Sequence, residues 1–432
     1  MKLALINPGT CRSLKKENLG LAYLAACVDA IGWQTRIIDE VAGQDVETAL
    51  DEFKPDVVGI SFMTMHALRA YELADRIRQK RQLPVILGGA HPTALPDEAI
   101  QHADCVLRGE GEITLPEILK SGHWHGIIDG RAPHELDALP LPKRSLLDLD
   151  FYARSGEEVA GLSLRTLGLI TSRGCPYHCD FCINSRREVP LRFHSPDRVI
   201  EEIAYLAERY NIQSVAFYDE LMATDPVRFR TICEKMIERR LNHLRWECQA
   251  HPRTVRRDLL PLMKEAGCIQ VAIGFESGSQ AILDRISKNT LVEKNLETAR
   301  LVKEYGLRLR GCFIIGIPGE TREDIQKTEA FIKKARIDFA SIHFLTPFPG
   351  TALNEQMSER LKTHQTSWDK FTTGDPDAFV CNETIPAAEQ KRLYEDLCAR
   401  QAFRNYSLWE MAKRALKNPQ HALHIAAKLL RR

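Results

Sequence analysis

Three of the twelve cysteines in this 432-residue chain fall within one short run, Arg173-Gly-Cys-Pro-Tyr-His-Cys-Asp-Phe-Cys182. Thiolates are the soft ligands of iron–sulfur clusters. Cys175, Cys179 and Cys182, spaced CxxxCxxC, offer three of them from a single loop. That is enough to hold three irons of a cubic cluster and leave the fourth open to another ligand. A structural zinc site is the competing reading, but it wants four ligands, usually as two short paired motifs. No second pair of that kind follows nearby, and His178, inside the loop, would be a strained fourth ligand. The other nine cysteines (11, 27, 105, 233, 248, 268, 312, 381 and 398) sit mostly in apolar periodic segments and read as small core residues. Nothing marks the chain as secreted, so disulfides are not expected.

The elements that would carry this loop begin well before it. Leu3–Ile6, Thr35–Ile38, Val57–Phe62, Val85–Gly88 and Cys105–Leu107 are brief, Val- and Ile-rich runs bounded by Gly or Pro, the pattern of buried strands. Helical stretches lie between them, including Leu19–Ile31, closed by Gly32, and His66–Arg81, closed before Pro84. This alternation predicts a doubly wound, Rossmann-like parallel sheet over residues 1–135, which binds ligands at the carboxyl ends of its strands. Glycines and small polar residues gather at those ends: Asn7-Pro-Gly-Thr10, Ser61-Phe-Met-Thr64, Gly88-Gly-Ala-His-Pro-Thr93 and Arg108-Gly-Glu-Gly-Glu112. Glycine there lets backbone amides approach a large planar or phosphate-bearing ligand, although such turns also serve plain βα connections.

A Pro-rich segment, 136–162, reads as an interdomain linker. From 163 to 355 the alternation restarts with a longer period, with strand-like runs at Thr166–Thr171, Ser214–Tyr218, Arg245–Ala250, Gln270–Phe275, Leu309–Ile315 and Ser341–Leu345. Ser195-Pro196 supplies a helix N-cap, and Gly267 and Gly306 helix C-caps. Six βα units make a partial TIM-like barrel, whose chemistry sits at the strand carboxyl ends, and the cysteine loop leaves the first strand at that face. Residues 356–432 read as a helical region whose basic amphipathic ending is expected to pack on the barrel as a solvated terminal helix, with a membrane-surface or partner role as the alternative. The strings Trp368-Asp-Lys-Phe371 and Phe379-Val-Cys-Asn382 match no motif with chemical meaning.

Hydrophobic residues make up 44% of the chain and the formal net charge is +1, so no global electrostatic commitment to nucleic acid is expected. The opening Met1-Lys-Leu-Ala-Leu-Ile6 ends its apolar run at Asn7-Pro8 and reads as a first strand rather than a leader. No apolar run is long enough to predict a membrane span, and the expected compartment is the cytoplasm.

A CxxxCxxC loop after the first strand of a six-unit βα barrel resembles the radical S-adenosylmethionine (SAM) superfamily. The preceding sheet, with Asn7-Pro, Leu19-Gly-Leu-Ala-Tyr23, Gly59-Ile-Ser61, Gly88-Gly-Ala-His-Pro-Thr93 and Gly109-Glu-Gly-Glu112, is similar to the cobalamin-binding domain fused to many members. The resemblance spans residues 1–355. It implies that Cys175, Cys179 and Cys182 hold a [4Fe–4S] cluster whose open iron is chelated by SAM, shielded by Pro176, Tyr177 and Phe181. Reductive cleavage then yields a 5′-deoxyadenosyl radical, with an electron donor such as flavodoxin or ferredoxin. It further implies SAM contacts from Tyr218, Asp219 and Glu220 to the amine, Arg253 to the carboxylate, and Glu276 and Ser277 to the ribose. Ile315 and Pro347 would line the adenine slot. Cobalamin contacts are implied for Asn7, Ser61, Thr64, Gly88, Gly89, His91, Gly109, Glu110 and Gly111. The Asp-x-His-x-x-Gly string that replaces the cofactor's lower base is missing from the sequence, so cobalt would be bound without a histidine below, or cobalamin would be absent. The implied activity is methylation of an unactivated carbon of a small biosynthetic intermediate. A radical oxidoreductase, cyclase or rearrangement enzyme with the same cofactors is the alternative, and a zinc-binding module a third reading.

Overall fold

The computed structural model describes residues 1–9, 16–155, 159, 162–185, 190–357, 367–373, 379 and 381–405. The first sheet comprises β1 (Lys2–Asn7), β2 (Gln34–Asp39), β3 (Val57–Ser61), β4 (Val85–Gly88), β5 (Cys105–Arg108) and β6 (Gly126–Asp129). Its order is β2-β1-β3-β4-β5-β6, every pair parallel. Both faces are buried, as all-parallel sheets require: Leu3, Leu5 and Ile86 on one, and on the other Ile6, Val58, Ile60, Val85 and Leu87, which pack with Leu73, Ala74 and Ile77 of the helix Ala67–Arg81. Burying each such side chain contributes about 1.5–3 kcal/mol. Five of these strands are the expected ones. The sixth escapes a reading based on burial because β6 is a short edge strand with three of its four residues exposed.

From β1 the chain winds first to β2 and then back past β1 to β3, so the strand order reverses between β1 and β3. Asn7 and Ser61 therefore end the two strands that flank the switch point, where open α/β sheets bind ligands.

The segment expected as a linker is packed structure. Leu136, Leu139, Leu147, Leu149 and Tyr152 are buried, a helix spans Leu149–Ser155, and Tyr152 donates a 2.6 Å hydrogen bond to Asp39 at the end of β2. Its prolines punctuate it, and the apolar residues between them anchor it.

Six further parallel strands follow, each expected: β7 (Thr166–Leu169), β10 (Ser214–Phe217), β11 (Arg245–Ala250), β12 (Cys268–Glu276), β13 (Arg308–Ile315) and β14 (Phe339–Phe344). Between the first two, Ser172–Arg173 (β8) and Arg192–Phe193 (β9) form a two-residue antiparallel ladder. Ser195 caps the helix Pro196–Tyr210 by accepting from the Arg198 amide at 3.2 Å.

The chain divides into two compact units. The first comprises Met1–Gln249, Asp258–Ile269 and Pro347–Thr372; the second Ala250–Arg257, Gln270–Thr346 and Thr373–Arg432. In the first unit β7 pairs with β10 and β10 with β11. In the second, β12 pairs with β13 and β13 with β14 around a core of Phe275, Phe313 and Phe331, whose ring centroids lie 5.1–6.0 Å apart. The basic ending expected after residue 405 lies outside the described residues. Among those described, no helix is long and apolar enough to cross a membrane.

Candidate functional site

In the first unit the cysteine loop leaves and returns through the β8–β9 ladder, in which Ser172 faces Phe193 and Arg173 faces Arg192. The Cys182 amide donates to the Cys179 carbonyl at 2.9 Å, turning the loop back on itself. Cys179 is buried, Cys175 and Cys182 are half-buried, and His178 is exposed. Among the described residues no three His, Cys, Asp or Glu side chains gather round a single-ion position. Three thiolates on one turn fit a cubic cluster by the chemistry of the donor set, each serving a different iron.

The residues after β10 support this loop. Asp219 is buried and accepts from the Thr171 amide at 3.0 Å, the Thr171 hydroxyl at 2.6 Å and the Ser172 hydroxyl. Its carboxylate is thus spent on the link between β7 and the loop, and burial raises its pKa despite those bonds. Glu220 reaches the loop itself, hydrogen-bonded by the Asn184 side chain and the Gly174 amide. The Tyr218 hydroxyl donates to Glu17 at 2.8 Å.

Glu17 heads a buried charge network. It accepts from the Gly168 amide on β7, and Arg144 lies 3.6 Å away. Arg144 in turn donates to the Gly168 carbonyl at 2.8 Å and to Glu202 at 2.6 Å. With these side chains 2–3% exposed, removing one partner strands a buried charge.

A second network joins the cysteine loop to the first sheet. Glu110, just after β5, pairs with Arg173 at 2.7 Å and with Arg192, while Glu112 meets Arg173 at 2.8 Å. Burial alone would raise the Glu110 pKa, but the two guanidiniums outweigh it and hold the carboxyl below its ordinary range. Glu110 is therefore a bridge between two parts of the first unit.

The other residues expected to meet cobalamin lie along the carboxyl edge of the first sheet. Asn7 donates to Asp39 at 2.9 Å and accepts from Asn18 at 3.1 Å. Gly89 has φ +97°, and a Cβ there would meet the Phe62 amide nitrogen at 2.7 Å, so the turn after β4 requires glycine. The Thr93 hydroxyl donates to the Gly89 carbonyl at 2.7 Å and accepts from the Gly109 amide at 2.9 Å, tying Gly88-Gly89 to Gly109-Glu110-Gly111. Beside Ser61 and Thr64, Met63 is 46% and Leu68 50% exposed. An exposed apolar pair beside small polar groups at a switch point fits the face of a corrin ring. His91 is wholly buried: its Nε2 lies 3.1 Å from the Tyr71 hydroxyl and 3.5 Å from Glu98, and Trp368 packs on its ring at 5.0 Å. Trp368 also donates to Glu98 at 2.9 Å, which gives the 368–371 string a structural meaning on this edge.

The second unit holds four of the expected SAM residues. Arg253, after β11, is exposed, and its guanidinium has no hydrogen-bond or ion-pair partner among the described residues, which suits it to an incoming carboxylate. Glu276 is buried against Lys288 at 2.8 Å, in a left-handed conformation (φ +61°) at a bulge in β12. A Cβ at Gly274 would collide with that carboxylate, so the glycine admits the ion pair. Ser277 is spent on the Thr328 hydroxyl at 3.1 Å, and Ile315 is core beside Ile325 and Ile385. Pro347 belongs to the first unit, its carbonyl accepting from Asn354 at 2.8 Å.

Sequence reasoning missed Glu17, Arg144, Arg192, Lys288, His251 and Glu320. Burial and the neighbouring Lys288 push the His251 pKa down to about 3. Glu320 accepts from the Gly316 amide at 2.8 Å and is driven by burial up to about 8. Two of them had a local signal: Glu320 closes the Gly316-Ile-Pro-Gly-Glu320 turn, and His251 stands in the strand-end run that leads to Arg253. Arg173 was in view too, two residues before Cys175.

Residues 169–332 match the Radical SAM superfamily and residues 9–119 the B12 binding domain. An uncharacterised methyltransferase of Pyrococcus horikoshii is 32% identical over 87% of this chain and 87% of its own length. The anaerobic magnesium-protoporphyrin IX monomethyl ester cyclase of Rubrivivax gelatinosus is 26% identical over 84% of this chain and 71% of its own. In fold, the radical SAM methyltransferase TsrM from Kitasatospora setae superposes with a TM-score of 0.67 at 18% identity, covering 83% of this chain and 78% of that one. The cobalamin-dependent radical enzyme OxsB superposes with a TM-score of 0.71 at 18% identity, covering 100% and 75%. A thiolate loop, a cobalamin-type sheet edge and a close relative over nearly the whole chain converge: this protein belongs to the cobalamin-binding class of radical SAM enzymes, with a [4Fe–4S] cluster, SAM and cobalamin as its cofactors.

Proposed function

We propose that the chain is a methyltransferase acting on an unactivated carbon of a small biosynthetic intermediate. Residues 1–135 would bind cobalamin and 163–355 form the radical SAM barrel. When bound, the cluster and SAM supply a 5′-deoxyadenosyl radical, and the corrinoid supplies the methyl group. The observation that carries the reading is the pair of ion bridges from Glu110, on the sheet's ligand edge, to Arg173 and Arg192 at the base of the cysteine loop. An enzyme that generates a radical at one cofactor and quenches it at another needs the two supports held in fixed geometry.

The chain's own residues divide the remaining work. Cys175, Cys179 and Cys182 would hold the cluster, Arg253 would pair with the SAM carboxylate, and Glu276, fixed by Lys288, would accept from ribose hydroxyls. Asp219 and Ser277 act through neighbours, aligning the cysteine loop and the helix Arg322–Lys334. Names among the relatives support methyl transfer: the Pyrococcus protein, and the bacteriochlorophyllide d C-12(1)-methyltransferase of Chlorobaculum tepidum at 28% identity over 78% of this chain. TsrM has been solved with tryptophan, a small-molecule substrate. A cytoplasmic setting with a flavodoxin or ferredoxin as donor fits an oxygen-labile cluster, and +1 net charge gives no support for nucleic acid as a partner.

The Rubrivivax relative favours a second reading, oxidative cyclisation. The products of SAM decide. Methylation predicts S-adenosylhomocysteine and 5′-deoxyadenosine together under turnover with SAM and reductant; 5′-deoxyadenosine alone would overturn it in favour of the cyclase.

A further inference from the structure

Arg173 and Arg192 sit directly opposite each other in the β8–β9 ladder, where like charges repel. They are also poorly solvated, with 15% and 5% of their side chains exposed. One carboxylate reconciles them: Glu110 meets Arg173 at 2.7 Å through Oε2 and grips Arg192 through both oxygens, one of these contacts at 3.3 Å. Arg173 is further anchored by Glu112 at 2.8 Å, and Arg192 by the Pro133 carbonyl at 2.6 Å and the Pro190 carbonyl at 3.2 Å. The ladder is only two residue pairs long, too short to hold by its own backbone bonds.

We infer that Glu110 is a positioning residue for the cysteine loop, a clasp that keeps the loop's base shut and ties it to the Gly109-Glu110-Gly111 turn of the first sheet. This deepens the reading of that turn as a cofactor edge: Glu110 faces the cluster support rather than the corrin. It rests on the cluster assignment but not on methyl transfer. Glu112 cannot replace it, because it reaches only Arg173. Without Glu110 the two guanidiniums face each other with one carboxylate between them, and the loop opens at its base.

The test uses full-length protein reconstituted anaerobically with iron and sulfide. In Glu110→Gln, amides of residues 174–182 should exchange hydrogen about ten-fold faster or more, while the β1–β4 amides exchange as in the parent. The reduced cluster's electron paramagnetic resonance signal should broaden, and iron should be lost to a chelator several-fold faster. Glu110→Asp, which keeps the charge, should recover part of each change. Should Glu110→Gln fail to fold, Arg192→Gln opens the clasp from the other side and should give the same pattern. Loop exchange, signal and iron retention all matching the parent in a folded variant would overturn the inference. Because none of these readouts involves a methyl acceptor, they stand or fall apart from the proposed activity.

Discussion

The two compact units hold their candidate residues by different means. In the first, the contacts cross long stretches of chain: Glu17 to Gly168 and Tyr218, Arg144 to Glu202, Glu110 to Arg192. In the second the charged contacts are near in sequence, Lys288 to Glu276 and Gly316 to Glu320, beside longer links from His251 to Lys288 and Ser277 to Thr328. A site built from distant segments forms only when those segments have docked, so its integrity reports tertiary structure. A site built from one βα turn can persist locally. Long-range ion pairs also bury charge that is compensated only once distant segments have docked, and this makes the first unit the more brittle of the two.

That contrast can be broken or sharpened by substitution. The largest effect is expected at Cys179→Ala, which should abolish the cluster while leaving the circular dichroism spectrum unchanged; a retained cluster-like absorbance would remove the assignment. Next, Arg144→Met should destabilise the first unit by about 3–5 kcal/mol, because Glu17 and Glu202 would be left buried and uncompensated. Urea unfolding measures it, and a loss under about 1 kcal/mol would mean the network is not the brittle element.

In the second unit the leading effect is set by pH. The unfolded Glu320 carboxyl ionises from about 4.5 upward, whereas the folded one keeps its proton to about 8. The native state therefore binds more protons across that window, and stability falls as pH rises through it. Glu320→Gln, which mimics the neutral acid, should gain on the parent between pH 5 and pH 8, by up to a few kcal/mol in order of magnitude. Thermal unfolding at the two pH values checks this, and parallel curves would contradict it. His251 carries the opposite slope: unfolded it takes up a proton below about 6.5, folded only near about 3, so stability falls as pH drops through that range. Gly274→Ala should cost about 1–3 kcal/mol by pressing a methyl into the Glu276–Lys288 pair. The smallest change is expected for Arg253→Gln, which should weaken SAM binding roughly ten-fold without altering stability. An unchanged SAM affinity would remove Arg253 from the carboxylate's binding group.

What the sequence discloses follows the same divide. Strands flanked by glycine and proline were legible because burial and turn chemistry are local, so β4 and β11 fall on their expected bounds and β1, β2 and β12 to β14 within a few residues. The cysteine triplet was legible because all three ligands share one turn. The exposed edge strand β6 and the packed 136–155 segment were not, since their roles depend on surfaces supplied by other elements. Polar residues at strand ends were recognised by type, but not by what they touch. Asp219, Ser277 and Glu110 carry functional-looking carboxylates or hydroxyls whose bonds go to Thr171, Thr328 and two arginines. Arg192 and Arg144 had no local signal at all, because their significance lies in partners 82 and 58 residues away.

The central claim is that one chain carries both a radical SAM cluster and a corrinoid. Anaerobically reconstituted full-length protein, equilibrated with hydroxocobalamin, desalted and assayed for metals, tests it directly. The account predicts about four irons together with one cobalt per chain, a cluster signal that changes when SAM is added, and a corrinoid spectrum that survives desalting. Iron without retained cobalt, or a single zinc in place of the cluster, would contradict it.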